Sequence, residues 1–347
     1  MSARIYAEPT QHFAHYHVFS RVVNRDFVFG DEEREHFRLL LNRLLQFSGL
    51  EAVTWCCMSN HFHILLTVPG EERAAILRSE ISETDLFKRM KIAFSDQYIR
   101  EVQWRLNHAR KEMQNEAWAQ DILNRLKAQM FDLSKFMHML KRRFSAWFNR
   151  THARRGTLWE ERFGSVLIED SEDALRTMAA YIDLNPVRAG MVDDPKDYRW
   201  CGYAEAVGGS VRARGAIRQL LSDQFGTELD WRAAARLYRC WLFEGGQRRE
   251  NEQGRTVRKG VSRERVEKVW AEGGRLSRLE LLHCRIRYFT SGAVIGSRAF
   301  VDKYFNANRS RFGDRRKTGA RPMRHGEWNG MCSLRDLRTD VVTPPPG

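Results

Sequence analysis

The chain has 347 residues, 42% hydrophobic and 11% aromatic, which excludes a disordered polymer and allows one large domain or two to three smaller ones. Its 58 Lys and Arg against 44 Asp and Glu give a net charge of +14, a balance that points to a polyanionic partner. No run approaches the ~18 apolar residues of a membrane span, so nucleic acid is favoured over a membrane.

The charge is local. From Arg248 to Arg338 there are 23 Lys/Arg against 10 Asp/Glu, so this segment carries +13 and the rest of the chain is nearly neutral. Such concentration predicts a binding surface rather than a general solubility device. The six cysteines, Cys56, Cys57, Cys201, Cys240, Cys284 and Cys332, show no CxxC spacing. They predict reduced thiols, and with no signal-peptide pattern over Met1 to Phe13 the expected compartment is the cytoplasm.

In chain order, Ala14 to Val23 alternates as a strand and contains His15 and His17. Asp31 to Phe47 sets Phe37, Leu40, Leu41, Leu44 and Leu45 on a helical stripe, with Asp31 as the expected N-cap and Gly49 as the stop. Glu51 to Met58 and His61 to Val68 then read as a hairpin around Ser59-Asn60. Period-2 alternation places His61 and His63 on one face and Phe62, Ile64 and Leu66 on the other. Two neutral imidazoles on one strand can share a divalent ion. The His15/His17 pair competes for that role, and periodicity alone does not decide between them. Cys56 and Cys57 face opposite ways, so at most one could join a zinc site with the histidines.

From Pro69 to Met130 the composition becomes charged and helix-forming, with Leu86, Met90, Phe94, Trp118, Ile122, Leu123 and Leu126 at helical spacings. Leu133 to Arg150 predicts a basic amphipathic helix, Phe136, Leu140, Phe144 and Trp147 inward and Lys135, Lys141, Arg142 and Arg143 elsewhere. It suits phosphate contacts or a solvated outer face. Leu158 to Glu169 returns to strand, and Asp170-Ser171 is the expected cap of a helix carrying Tyr181 and Asn185. Four residues apart, the phenol and the amide project from one face, and Pro186 ends the helix at Asn185. A lone helical tyrosine is otherwise an ordinary core aromatic.

Gly208 to Arg214 marks the expected domain boundary. Ala216 to Phe243 and Ser262 to His283 have helical periodicity, and Glu244 to Lys259 reads as a polar linker. Gly292 to Gly296 followed by Ser297 and Arg298-Ala299-Phe300-Val301 reads as a turn before a capped basic helix, suited to helix-turn-helix-like docking or to a basic extension of another fold. These elements predict an α+β fold: an antiparallel sheet with packed helices over 1–207, a helical insertion at about 71–130, and a basic, mainly helical extension over 208–347.

The His61-Phe62-His63 element, Leu158-Trp159-Glu160-Glu161-Arg162-Phe163, and Tyr181 to Asn185 followed by Pro186-Val187-Arg188-Ala189-Gly190 together resemble the tyrosine transposases of the HUH superfamily. More narrowly they resemble the insertion-sequence 200/605 type and the REP-associated tyrosine transposases, over roughly Ala14 to Tyr203. The ~50-residue helical insertion departs from that pattern. The resemblance implies a ferredoxin-like HUH domain and a single-stranded, hairpin-forming DNA substrate. It also implies a 5′-phosphotyrosine formed at Tyr181, and Mg2+ or Mn2+ held by His61, His63 and Asn185. A free phenol ionises near pH ~10, so such a nucleophile needs a nearby cation or base. Arg142, Arg143, Arg162, Arg315, Arg316 and Lys317 are the expected DNA contacts. The site could assemble within one chain or across a homodimer. A domesticated DNA-binding protein of the same fold stays open as an alternative. The three-histidine motif of relaxases and the motif order of replication initiators are not found.

Overall fold

In the computed structural model, residues 4–225, 229–243, 282, 288–324 and 328–337 are described. The expected linker at 244–259 lies outside them, as does nearly all of the 262–283 helix. No described helix is long and apolar enough to cross a membrane.

The first four strands form an antiparallel sheet with the first strand in its interior. Strands β1 (Phe13–Arg21), β2 (Glu51–Cys57), β3 (His61–Pro69) and β4 (Gly164–Ile168) pair antiparallel in the order β2-β3-β1-β4. The β2–β3 hairpin is closed by the Met58 N–H donating to the His61 carbonyl. Asn60 tethers this turn by donating its side-chain amide to the Arg25 carbonyl at 2.7 Å.

Alternation splits the strand residues between two cores. On one face Tyr16, Val18, Phe62, Ile64, Leu66 and Leu167 pack with α1 (Asp31–Ser48) and α6 (Leu133–Thr151). On the other, Leu65, Val166 and Ile168 pack with α7 (Glu172–Asp183), α9 (Gly202–Val207), α10 (Val211–Phe225) and α11 (Trp231–Phe243). Helix α1 is entered from Gly30, whose N–H donates to Glu33, so the N-cap falls one residue before Asp31. It stops at Gly49, whose φ of 73° is the left-handed conformation a side chain would strain. Helices α2 (Glu71–Glu80), α3 (Glu83–Ala93), α4 (Asp96–Asn107) and α5 (Glu116–Lys127) occupy the span between β3 and α6. Leu86, Met90, Leu123 and Leu126 face inward, as their spacing requires.

The basic C-terminal part does not stand apart. Strands β5 (Val294–Gly296), β6 (Arg321–Pro322) and β7 (Cys332–Leu334) lengthen the same sheet to seven strands, order β2-β3-β1-β4-β5-β7-β6. The β4–β5 pair is parallel, the one departure from the expected antiparallel ladder among the described strands. The residues read as a turn before a docking helix are thus a strand. The helix after it, α13 (Arg298–Ala307), is capped by Ser297 as expected and buries Val301, Tyr304 and Phe305 in the first core. Before β5, the single-turn helix α12 (Tyr288–Ser291) inserts Phe289 into the second core.

Candidate active site

The second face gathers the expected site. His61 and His63 share the parity of Leu65 and face α7, while β1 brings Phe19 opposite His63 and His17 opposite Leu65. Gly164 on β4 makes room for Phe19, since a Cβ there would lie 2.3 Å from the Phe19 ring. The His63 and Tyr181 rings are 5.8 Å apart between centroids, and His61 lies 5.0 Å from His63. Tyr181 is 6% exposed.

Helix α7 ends at Asp183, and Asn185 opens a further short turn, α8 (Asn185–Arg188), with Pro186 at its start. The side-chain amide of Asn185 still reaches back, donating to the Tyr181 and Ile182 carbonyls at 3.1 Å each. That leaves its oxygen as the end able to ligate a cation. Ser171 holds the N-cap position of α7 without a side-chain capping bond, and Asp170 pairs instead with His15 at 3.2 Å. The two N-terminal histidines are thereby distinguished. His15 belongs to Asp170 and Thr67, whereas His17 meets His63 with Nε2 2.9 Å from Nδ1.

Burial lowers the pKa of His17 to about 3, against a raising contribution from the Phe289 carbonyl. Burial first, then the neighbouring His17, His61, Arg188 and Arg21, holds His63 well below the ordinary histidine range. Both imidazoles are therefore neutral at pH 7, the form that binds metal. The His61 Nδ1–H donates to Asn60 Oδ1 at 2.7 Å, which places the ring's lone pair on Nε2. Among the described residues no three His, Cys, Asp or Glu side chains converge to hold an ion. A divalent cation held by His61, His63 and the Asn185 amide oxygen would meet a nitrogen-and-oxygen donor set of the kind such ions accept. Cys57 falls into the first core, away from the histidines, whereas Cys56 lies opposite His63 on the site face, where burial raises its thiol and keeps it protonated. A cleft of about 470 Å³ beside His15, Asp170, Leu175 and Arg212 is bordered by none of His61, His63, Tyr181 or Asn185.

Three neighbours of Tyr181 were not singled out in the sequence. Arg188 lays its guanidinium 4.2 Å from the Tyr181 ring centre and donates to the Tyr181 and Leu282 carbonyls. Phe289 packs 4.5 Å from the same ring. Asp183, fully buried beneath the site, accepts from Thr54 Oγ1 and Tyr238 OH at 2.6 Å each and from the Tyr203 N–H at 3.4 Å. Arg188 stood in the quoted motif and was in reach of sequence reasoning. Phe289 gave no local signal.

Burial raises the Asp183 pKa from 3.8 to about 6, against three lowering hydrogen bonds. The folded state thus holds this proton more tightly than the unfolded chain. The associated stability is complete below pH ~4 and is lost as pH rises through about 6. Relative to Asp183→Asn, the wild type is expected to lose on the order of 3 kcal/mol between pH 4 and pH 7. Urea unfolding of both proteins at pH 4, 5.5 and 7 measures this; a flat or rising difference would refute it.

The expected DNA contacts divide. Arg142, Arg162, Arg315 and Lys317 are exposed. Arg316 is turned inward, donating to the Thr318, Gly319 and Arg335 carbonyls and stacking on Phe305 and Phe312. Arg143 is partly buried over Phe94. Both side chains thus have packing contacts within the fold.

No curated protein matches the chain significantly. Among solved structures, one described as a REP-associated tyrosine transposase bound to a REP hairpin aligns with 61% of this chain and 87% of its own, at 14% identity and a TM-score of 0.37. Residues 10–121, the stretch that holds β1 to β3 with His17, His61 and His63 and stops short of Tyr181 and Asn185, match the family described as IS200-like transposases.

Proposed function

We propose that this chain is a transposase that cleaves and rejoins single-stranded, hairpin-forming DNA through Tyr181. The observation that carries the reading is the convergence of the His61/His63 strand and the Tyr181 helix on one face of the sheet, with the His63 and Tyr181 rings 5.8 Å apart. The family match over residues 10–121 supports it.

In this reading the phenolic oxygen of Tyr181 attacks a backbone phosphorus. A P–O bond forms to the tyrosine and the bond to the 3′ oxygen breaks. The phenolic proton passes to solvent and the departing 3′ oxygen takes one up, leaving a 5′-phosphotyrosine and a free 3′-hydroxyl. Rejoining is the reverse, with a 3′-hydroxyl as nucleophile. His61, His63 and Asn185 are the residues that would hold Mg2+ or Mn2+. When bound, such an ion polarises the phosphate and offsets the charge that builds up in the transition state. Arg188 places a fixed positive charge over the Tyr181 ring, where it would attract an incoming phosphate. Arg142, Arg162, Arg315 and Lys317 would meet the DNA backbone.

The test is incubation of the full chain with labelled single-stranded DNA from its own gene flanks in Mg2+ or Mn2+, followed by denaturing separation. A covalent protein–DNA adduct is the expected product. Hairpin binding without an adduct would favour the second reading, a DNA-binding protein that no longer mobilises DNA. The cover of Phe289 over Tyr181 is the feature that favours that alternative.

A further inference from the structure

His17 is fully buried and has a polar partner on each side: the Phe289 carbonyl 2.9 Å from Nδ1, and His63 Nδ1 2.9 Å from Nε2. A carbonyl oxygen can only accept, so the proton of His17 sits on Nδ1 and its Nε2 carries the lone pair. That lone pair accepts from His63, whose proton is thereby placed on Nδ1. The remaining His63 nitrogen, Nε2, then holds the lone pair a cation requires. The opposite arrangement would point the His17 Nδ1 lone pair at the carbonyl lone pairs within a dry core, and would cap His63 Nε2 with hydrogen. An unmade buried bond of that kind costs ~1–3 kcal/mol, enough to settle the tautomers.

We propose that His17 is a positioning residue: together with the Phe289 backbone carbonyl it fixes His63 in the Nδ1–H tautomer and so presents Nε2 as a metal-ligating atom. The ligating role rests on the function proposed above, whereas the tautomer does not. Two consequences follow. A residue on β1 governs a ligand on β3. The hydrogen-bond chain begins in the C-terminal part, at α12, outside the stretch that matches the IS200-like family. Partners of this kind around metal-binding histidines are typically worth ~10–100-fold in metal affinity.

The experiment uses the full chain with 15N-labelled histidine. Ring nitrogen shifts of the metal-free protein report the His63 tautomer, and Mn2+ titration followed by electron paramagnetic resonance reports affinity. Wild type should show His63 as Nδ1–H. His17→Phe, which can neither donate nor accept, should move His63 toward Nε2–H and weaken Mn2+ binding about tenfold or more. His17→Gln should keep most of both properties, because its amide can accept from His63 and donate to Phe289. An Nε2–H tautomer at His63 in the wild type would overturn the proposal even if His17→Phe does not fold. So would a His17→Phe protein with an unchanged tautomer and unchanged Mn2+ affinity. Should the wild type bind no Mn2+ at all, the metal reading of the site falls, and the tautomer measurement still decides the role of His17.

Discussion

Ending the chain after Phe243 should abolish the cooperative fold. The sequence predicts a basic extension over 208–347 beyond a domain boundary, with Tyr181 wholly before it. The structure removes that expectation, because β5, β6 and β7 belong to the same sheet as the histidines. The cut would delete Phe289, Val294, Ile295, Val301, Tyr304, Phe305, Phe312 and Leu334, all at most 2% exposed. At ~1.5–3 kcal/mol for each buried side chain of this size, the loss rivals the ~5–15 kcal/mol by which domains are stable. It also uncovers the apolar partners these groups leave behind and unpairs the Leu167 and Glu169 amides, which donate to the Ala293 and Ile295 carbonyls at 2.9 Å. Circular dichroism melting of a 1–243 fragment is the check. A soluble fragment with a sharp transition and an intact ability to form adduct would restore the two-domain view.

Tyr181→Phe, by contrast, should leave the fold almost untouched and remove strand cleavage altogether. The Tyr181 hydroxyl makes no hydrogen bond among the described residues, and its ring contacts with His63, Arg188 and Phe289 need only the aromatic face and edge. A stability change within ~0.5 kcal/mol is expected for losing an unbonded hydroxyl of this kind. The chemistry has no substitute on that carbon, so adduct should fall below detection while hairpin affinity stays near wild type. Parallel melting and adduct assays separate the two effects. Adduct at the wild-type level from the variant would place the nucleophile elsewhere.

The local elements and the site strand were legible because each carries a pattern its backbone imposes. Phe62, Ile64 and Leu66 alternate with His61, His63 and Leu65, so the hairpin and its two faces could be read directly. Gly49 stops α1 for a conformational reason visible in its identity. His17 could be read as a neighbour of the site on an adjacent strand, but not what holds either histidine of β1, because that depends on pairing and on distant partners: Asp170 claims His15, and Phe289 meets His17. The three C-terminal strands are two or three residues long, too short to show a period of two, so Val294–Gly296 resembled a turn. Their strand character comes from the parallel docking of β5 on β4. The inward turn of Arg316 was equally hidden, since nothing local distinguishes it from its exposed neighbours Arg315 and Lys317.

The parallel junction of β4 and β5 has a consequence during synthesis. Ile168 is made long before its partner Ile295, and at the ~5–20 residues per second of translation the interval is on the order of ten seconds. Throughout it the four-stranded sheet ends in an open strand at β4, a ready template for pairing with another chain. His17 and His63 already face each other in that interval, but the carbonyl that sets their protons has not yet been made. A ribosome stalled within this window would carry both histidines and the tyrosine in an unfinished, adhesive product, which is the form most in need of a chaperone.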